Sequence, residues 1–233
     1  MEGWCCVDAV VLWHGLQQRR DASPFYIGGL GQGVTPGGAF DMTAAKAAGP
    51  QLTFSYWFLE GPDSPNKPSS DTNRAWGIAQ ANAYWQAWAD DSSFLQGYTL
   101  FADIEEGYGW GTDQTANMEV LTGWLYQLIE NLVVGAGVYI SYSNWQTYFN
   151  ANFPYEVVLW LAGTDCPSTC ADAESQFPPV ASFGGYKVMI WQCVVYNPSG
   201  STCPTWEGQS NIQDINITPY NGYLSGQWNP TPA

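Results

Sequence analysis

The sequence predicts an α/β chain folded as a single irregular (β/α)8 TIM-like barrel with fewer than eight regular helices. Eight runs of strand length, rich in apolar, β-branched and aromatic residues, recur along its 233 residues. Stretches with helical period fall between several of them. The runs are near-continuously apolar, as parallel strands buried on both faces require, and eight of them favour closure. The helical stretches are uneven, hence the irregularity.

The first run, 4–7, precedes a short helical pattern in which Val10, Val11, Trp13 and Leu16 recur ahead of a polar Gln-Gln-Arg-Arg-Asp end. The second, 25–29, enters Gly28-Gly29-Leu30-Gly31-Gln32-Gly33, which lacks the spacing of a dinucleotide loop and reads as a tightly turned or mobile segment. The third, 52–59, precedes a helix over 73–90, where Trp76, Ala79, Ala83 and Ala87 repeat. The fourth, 98–104, precedes the clearest helix, 113–132, with Met118, Leu121, Leu125, Leu128 and Leu132 on one face and Gly135 and Gly137 just past its end. The remaining runs are 137–142, 157–162, 188–195 and 212–217. Residues 166–179 offer at most a short helix, and loop follows the seventh run. With no internal repeat and no linker, the expected organisation is one barrel domain over 1–221 and a poorly structured tail over 222–233.

Composition narrows the partners. The chain has 21 Asp plus Glu against 6 Lys plus Arg and a net charge of −15, so it offers no basic footprint for nucleic acid. No apolar stretch approaches the ~20 residues of a membrane span. Met-Glu-Gly-Trp-Cys-Cys at the N-terminus lacks the pattern of a signal peptide, which leaves a removed leader and an unsecreted chain both open. Solubility resting on uncharged polar residues and acids suits an extracellular or acidic setting, and a secreted monomer is expected. Cys166, Cys170, Cys193 and Cys203 lie in Pro/Ser/Thr-rich segments and favour local disulfides over a zinc site, since zinc-ribbon spacing is missing. Cys5 and Cys6 stay ambiguous. No metal or cofactor is expected.

In a parallel barrel the reactive face lies at the C-terminal strand ends, and carboxylates recur there. Asp8 follows the first strand and Glu60 the third; Asp103 and Glu105 close the fourth in Leu-Phe-Ala-Asp-Ile-Glu-Glu-Gly; Asp214 lies in the eighth. Alternate strand residues share a face, so Asp103 and Glu105 point the same way. Two close carboxyls cannot both ionise freely, which prepares one as an acid beside an anionic partner, the equipment of glycoside hydrolysis. The alternative is that Asp-x-Glu merely caps a turn. A nucleophilic triad needs a histidine base, and the lone His14 sits in a helical pattern where a surface or packing role is expected. Trp57, Tyr108, Tyr139, Tyr142 and Trp191, with Glu60, are the candidate substrate contacts, because flat ring faces match pyranose C–H faces. Two or three of the aromatic residues would touch sugar and the rest would pack, as Trp76, Trp85 and Trp124 do on helices.

Taken together, the Asp after strand one, Phe-Ala-Asp-Ile-Glu at strand four, Gly-Val-Tyr-Ile-Ser-Tyr at strand five, Trp-Gln at strand seven and Asp-Ile-Asn at strand eight resemble glycoside hydrolase family 25, the muramidases. Phe25-Tyr26-Ile27-Gly28-Gly29 is similar to the related glycoside-hydrolase-like domain of unknown function. The resemblance implies an irregular β/α barrel and cleavage of a β-linked, N-acetylhexosamine-containing polysaccharide such as peptidoglycan. Glu105 would be the general acid. Asp103 would stabilise the cationic centre or orient an N-acetyl group, and Asp8 and Asp214 would complete the acidic cluster. Two positions depart from the muramidases: Cys-Cys-Val-Asp-Ala stands at strand one, and Ser55-Tyr56-Trp57-Phe58 replaces their Tyr-His-Phe region. The rival expectation is a non-catalytic glycan- or wall-binding domain that keeps the barrel.

Overall fold

The structure, a computed structural model, describes residues 5–7, 25–36, 52–90, 99–132, 135–162, 187–192 and 216–218. The strands are β1 (Cys5–Val7), β2 (Phe25–Gln32), β3 (Thr35–Pro36), β4 (Leu52–Phe58), β5 (Thr99–Ile104), β6 (Gly135–Ser141), β7 (Val158–Ala162), β8 (Lys187–Gln192) and β9 (Asn216–Thr218). The helices are α1 (Asn73–Asp90), α2 (Gln114–Tyr126), continued by a π-turn at Gln127–Asn131, and α3 (Tyr142–Tyr148). The first helical pattern, the later cysteines and the tail lie outside the described residues.

All nine strands form one sheet in the order β1-β9-β8-β7-β6-β5-β4-β2-β3. From β2 through β4, β5, β6 and β7 to β8 every pairing is parallel. The expectation of eight parallel strands fails at the last one, because β9 runs antiparallel to both β8 and β1. A parallel return needs a long crossover, usually a helix. Residues 193–215, rich in Pro, Gly and Ser, carry no helical period and impose no such crossover. Among the described residues the sheet is open, with β1 at one end and the β2–β3 hairpin at the other.

Helices α1 and α2 cover one face of this sheet. The α2 terminus is set by Asp113, whose carboxylate accepts from the backbone N–H groups of Thr115 and Ala116. The two helices pack with their backbones touching: a Cβ on Gly77 would meet the Val120 carbonyl oxygen at 2.0 Å, and one on Gly123 the Arg74 oxygen at 2.1 Å. These glycines cost helix propensity but permit the close approach. Between helices and sheet lies an apolar core including Trp57, Leu100, Ala102, Val138, Leu159, Trp76, Tyr84 and Trp124.

Pairing register assigns the other face. Phe58, Asp103, Tyr139 and Trp160 form one row across β4 to β7, and Tyr56 pairs with Phe101 one row below. Trp160 sits at the middle of this aromatic layer, its ring centroid 4.6 Å from Tyr139, 5.8 Å from Phe101 and 5.9 Å from Tyr56, all edge-on. The row that closes the layer toward the strand ends therefore contains one carboxyl.

Candidate active site

Asp103 is the fifth of six residues in β5, whose positions are all buried, and is itself 5% exposed. Its Oδ1 has no hydrogen-bond partner. Burial, and secondarily the charge of Glu105, pushes the Asp103 carboxyl well above the ordinary carboxylate range. Glu105 follows the strand, is largely buried, and is raised by that burial. Both carboxyls therefore hold a proton more readily than an exposed carboxylate does.

The loop bearing Glu105 is held against the loop after β4 by backbone bonds. The Gly61 N–H donates to the Tyr108 oxygen at 2.7 Å, and the Asp63 N–H to the Gly109 oxygen at 3.0 Å. The Trp110 indole donates to the Leu59 oxygen at 3.0 Å. Gly109 has φ 76°, and a Cβ on it would lie 2.4 Å from the Ser64 nitrogen, so only glycine fits. This clamp sets Tyr108, whose ring stacks on Phe58 at 5.0 Å. Burial raises the Tyr108 phenol, and the charges of Glu105, Asp103 and Glu60 raise it further, which places the hydroxyl within reach of all three acids' fields.

Beside the pair is a pocket of about 270 Å³ lined by Ile104, Glu105, Glu106, Tyr139, Ser141, Asn144 and Ala162, at the C-terminal ends of β5, β6 and β7. Tyr139 donates its hydroxyl proton to Gln192 Oε1 at 2.6 Å, a buried bond linking β6 to β8. Ser141 caps α3 by accepting from the Asn144 N–H, which presents Asn144 at the rim. Glu106, Ser141, Asn144 and Gln192 were not among the expected contacts. The Ser-x-x-Asn spacing after an apolar run is the local signal that marks this helix start.

The structure thus gathers Asp103, Glu105, Tyr108 and Tyr139, and places the other candidates elsewhere. Trp57 is 0% exposed on the helix side, stacked on Tyr84 at 5.3 Å with its indole donating to the Gly33 oxygen at 2.8 Å. Trp191 is 1% exposed and pairs with Leu161 of the helix-side core. Trp57 packs in the helix-side core, and both residues occupy the strand position alternate to the acid-bearing row. Tyr142 opens α3 and stacks on Trp145 at 5.9 Å, packed against the helix-side core. Glu60 is 2% exposed, with its carboxylate taken up by Gln32 Nε2 at 2.7 Å, Asn66 Nδ2 at 2.9 Å and the Ser64 hydroxyl. Its backbone is held by Gln80 and by the Trp76 indole. The described residues thus place Glu60 as a loop anchor. Asp8 and Asp214 lie outside the described residues.

Among the described residues no His, Cys, Asp or Glu cluster could hold a metal ion, and no helix is long and apolar enough to cross a membrane.

Solved structures share this architecture. The family GH25 lysozyme from Aspergillus fumigatus superposes with a TM-score of 0.56 over 84% of this chain and 83% of its own, at 16% identity. The muramidase from Trichobolus zukalii gives 0.54 over 87% and 84%, at 17% identity. The fold is similar to that of the GH25 muramidases. The modular autolysin LytC from Streptococcus pneumoniae, solved with a synthetic peptidoglycan ligand, gives 0.55 over 84% of this chain and 40% of its own, at 12% identity. No family model and no curated protein sequence matches the chain.

Proposed function

We propose that the chain is a muramidase-type glycoside hydrolase, cutting β-linked, N-acetylhexosamine-containing polysaccharide of the peptidoglycan kind. The observation that carries this reading is the acid pair: a buried Asp103 carboxyl, its Oδ1 without a hydrogen-bond partner, beside Glu105, which lines an open pocket. An acid pair held only for turn capping would be solvated and satisfied. The fold similarity supports the same reading.

Glu105 is assigned as the general acid because it lines the pocket. It gives its proton to the glycosidic oxygen as the C1–O bond breaks, and the bonding electrons stay with that oxygen. The positive charge developing at C1 favours the ionised form of Asp103, which then faces that centre or orients the neighbouring N-acetyl group while Glu105 carries the proton. Water then adds its oxygen to C1 and returns a proton to Glu105. Tyr139, fixed by Gln192, and Tyr108 flank the pair.

Asp8 and Asp214 complete the assignment. Asp8 follows Val7, which pairs with Asn216, which in turn pairs with Gln192 at the C-terminal end of β8; Asp214 precedes Asn216 by two residues. That register supports both acids belonging to the same end of the sheet as Asp103. The acid-rich composition and cysteine spacing support secretion.

The test is digestion of purified peptidoglycan and chitin between about pH 4 and about pH 8, with product masses determined. New reducing ends on muramic acid or N-acetylglucosamine are expected. Binding without any new reducing end would establish the wall-binding alternative.

A further inference from the structure

We infer that Asn117 is a positioning residue: it fixes the wall of the pocket that carries Glu105 against the wall that carries Asn144, and so sets where the acid stands relative to a bound sugar. This deepens the hydrolase reading and rests on it for the role of Glu105.

The two walls come from different segments. Glu105 and Glu106 belong to the loop after β5, and Ser141 and Asn144 to the start of α3. On one side that loop is tied to the loop after β4 through Tyr108, Gly109 and Trp110. None of those bonds reaches α3. Asn117, the fourth residue of α2 and 0% exposed, supplies the missing tie. Its Nδ2 donates to the Gly111 oxygen at 2.8 Å, where the loop ends, and to the oxygen of Tyr148, the last residue of α3, at 3.0 Å. Both partners are carbonyl oxygens, so the amide must present its NH2 group to them, and both of its hydrogens are used.

The tie has a cost. Asn117 Oδ1 is buried with no hydrogen-bond partner, and asparagine is a poor helix former. An apolar residue at this position would avoid both penalties but hold neither carbonyl. Around it Trp110 packs on Tyr148 with ring centroids 6.2 Å apart and on Phe149 at 5.6 Å. Apolar contacts are non-directional and let two segments slide; two bonds from one amide fix their offset. Gln114, one turn earlier on α2, repeats the link from the exposed side, donating to the Gln146 and Thr147 oxygens at 3.3 and 3.2 Å. The offset matters because a general acid acts only within hydrogen-bond reach of the oxygen it protonates, and a misplacement of about 1 Å costs about 10²-fold.

The test compares two substrates in wild type and Asn117→Ala. One is an oligosaccharide from whichever polymer wild type cleaves, peptidoglycan or chitin, whose leaving alcohol needs a proton as the C1–O bond breaks. The other is the dinitrophenyl β-glycoside of the same sugar, whose phenolate leaves with the bonding electrons and needs none. Rates are taken per folded molecule, counted from the urea transition. Asn117→Ala is expected to slow the oligosaccharide by roughly 10- to 10²-fold and the dinitrophenyl glycoside by less than about twofold. Equal loss on both substrates, or no loss on either, would overturn the proposal, since a merely structural asparagine does not distinguish leaving groups. Should Asn117→Ala fail to fold, Gln114→Ala decides the matter: a loss confined to the oligosaccharide sustains the positioning role, and an equal loss or none overturns it. Wild type that cleaves neither substrate would overturn the hydrolase reading, and the proposal with it.

Discussion

The two faces of the sheet are built from the same strands and obey opposite rules. On the helix side Trp57, Leu100, Ala102, Val138 and Leu159 meet Trp76, Tyr84 and Trp124, and the one polar contact of Trp57 is satisfied by a backbone oxygen. On the other side Tyr56, Phe101 and Trp160 pack edge to face below a row that holds the unpartnered Oδ1 of Asp103 and the Tyr139–Gln192 bond. The helix side leaves the indole N–H of Trp124 without a partner, whereas the other side leaves an oxygen of an ionisable carboxyl in that state, which is where chemistry is expected.

That contrast can be broken by substitution. Asp103→Asn is expected to lower glycan cleavage by roughly 10²-fold or more while raising stability above neutral pH, read from reducing-end assays and urea midpoints. Loss of both activity and stability would show that the carboxyl is structural. Trp57→Ala is expected to cost about 3–5 kcal/mol by opening a cavity on the helix side, measured by the same denaturation. A loss of glycan affinity without loss of stability would return Trp57 to the binding face.

The pH dependence separates the faces as well. The folded-state pKa of Asp103 lies above its unfolded value, so the native state binds more protons between the two. Stability is therefore expected to fall as pH rises from about 4 through the folded pKa, and Asp103→Asn should flatten that slope. A wild-type slope of the opposite sign in this window would contradict the burial of a protonatable Asp103. Smaller still is Gly107→Ala: at φ 91° with open space around it, only backbone strain of about 1–2 kcal/mol is expected.

Much of this was legible in the sequence. Apolar runs located β4, β5 and β7 to within a residue, and the helical period located α1 and α2, because burial on both sheet faces and on one helix stripe leaves an unmistakable pattern. The direction of β9 was not legible, since apolar content does not encode strand polarity. The short β3 and α3 depend on local turns rather than on a pattern. In the site, Asp103 and Glu105 stood out through their place after a strongly apolar strand. The ring faces of Trp57 and Trp191 suit a sugar, but strand alternation decides: Phe58 pairs with Asp103, so Trp57 pairs with Ala102 on the opposite face. The anchoring of Glu60, expected as a substrate contact, was not legible because its donors, Gln32, Ser64 and Asn66, come from a hairpin and a loop that only the fold brings together.

The central claim is that Glu105 delivers the proton from the acid pair. The direct measurement is reducing-end release from peptidoglycan by wild type and by Glu105→Gln, with glycan binding by both followed in parallel. The expected result is cleavage by wild type, a drop of roughly 10²–10⁴-fold in the variant, and retained binding. Cleavage by Glu105→Gln at the wild-type rate would contradict the assignment.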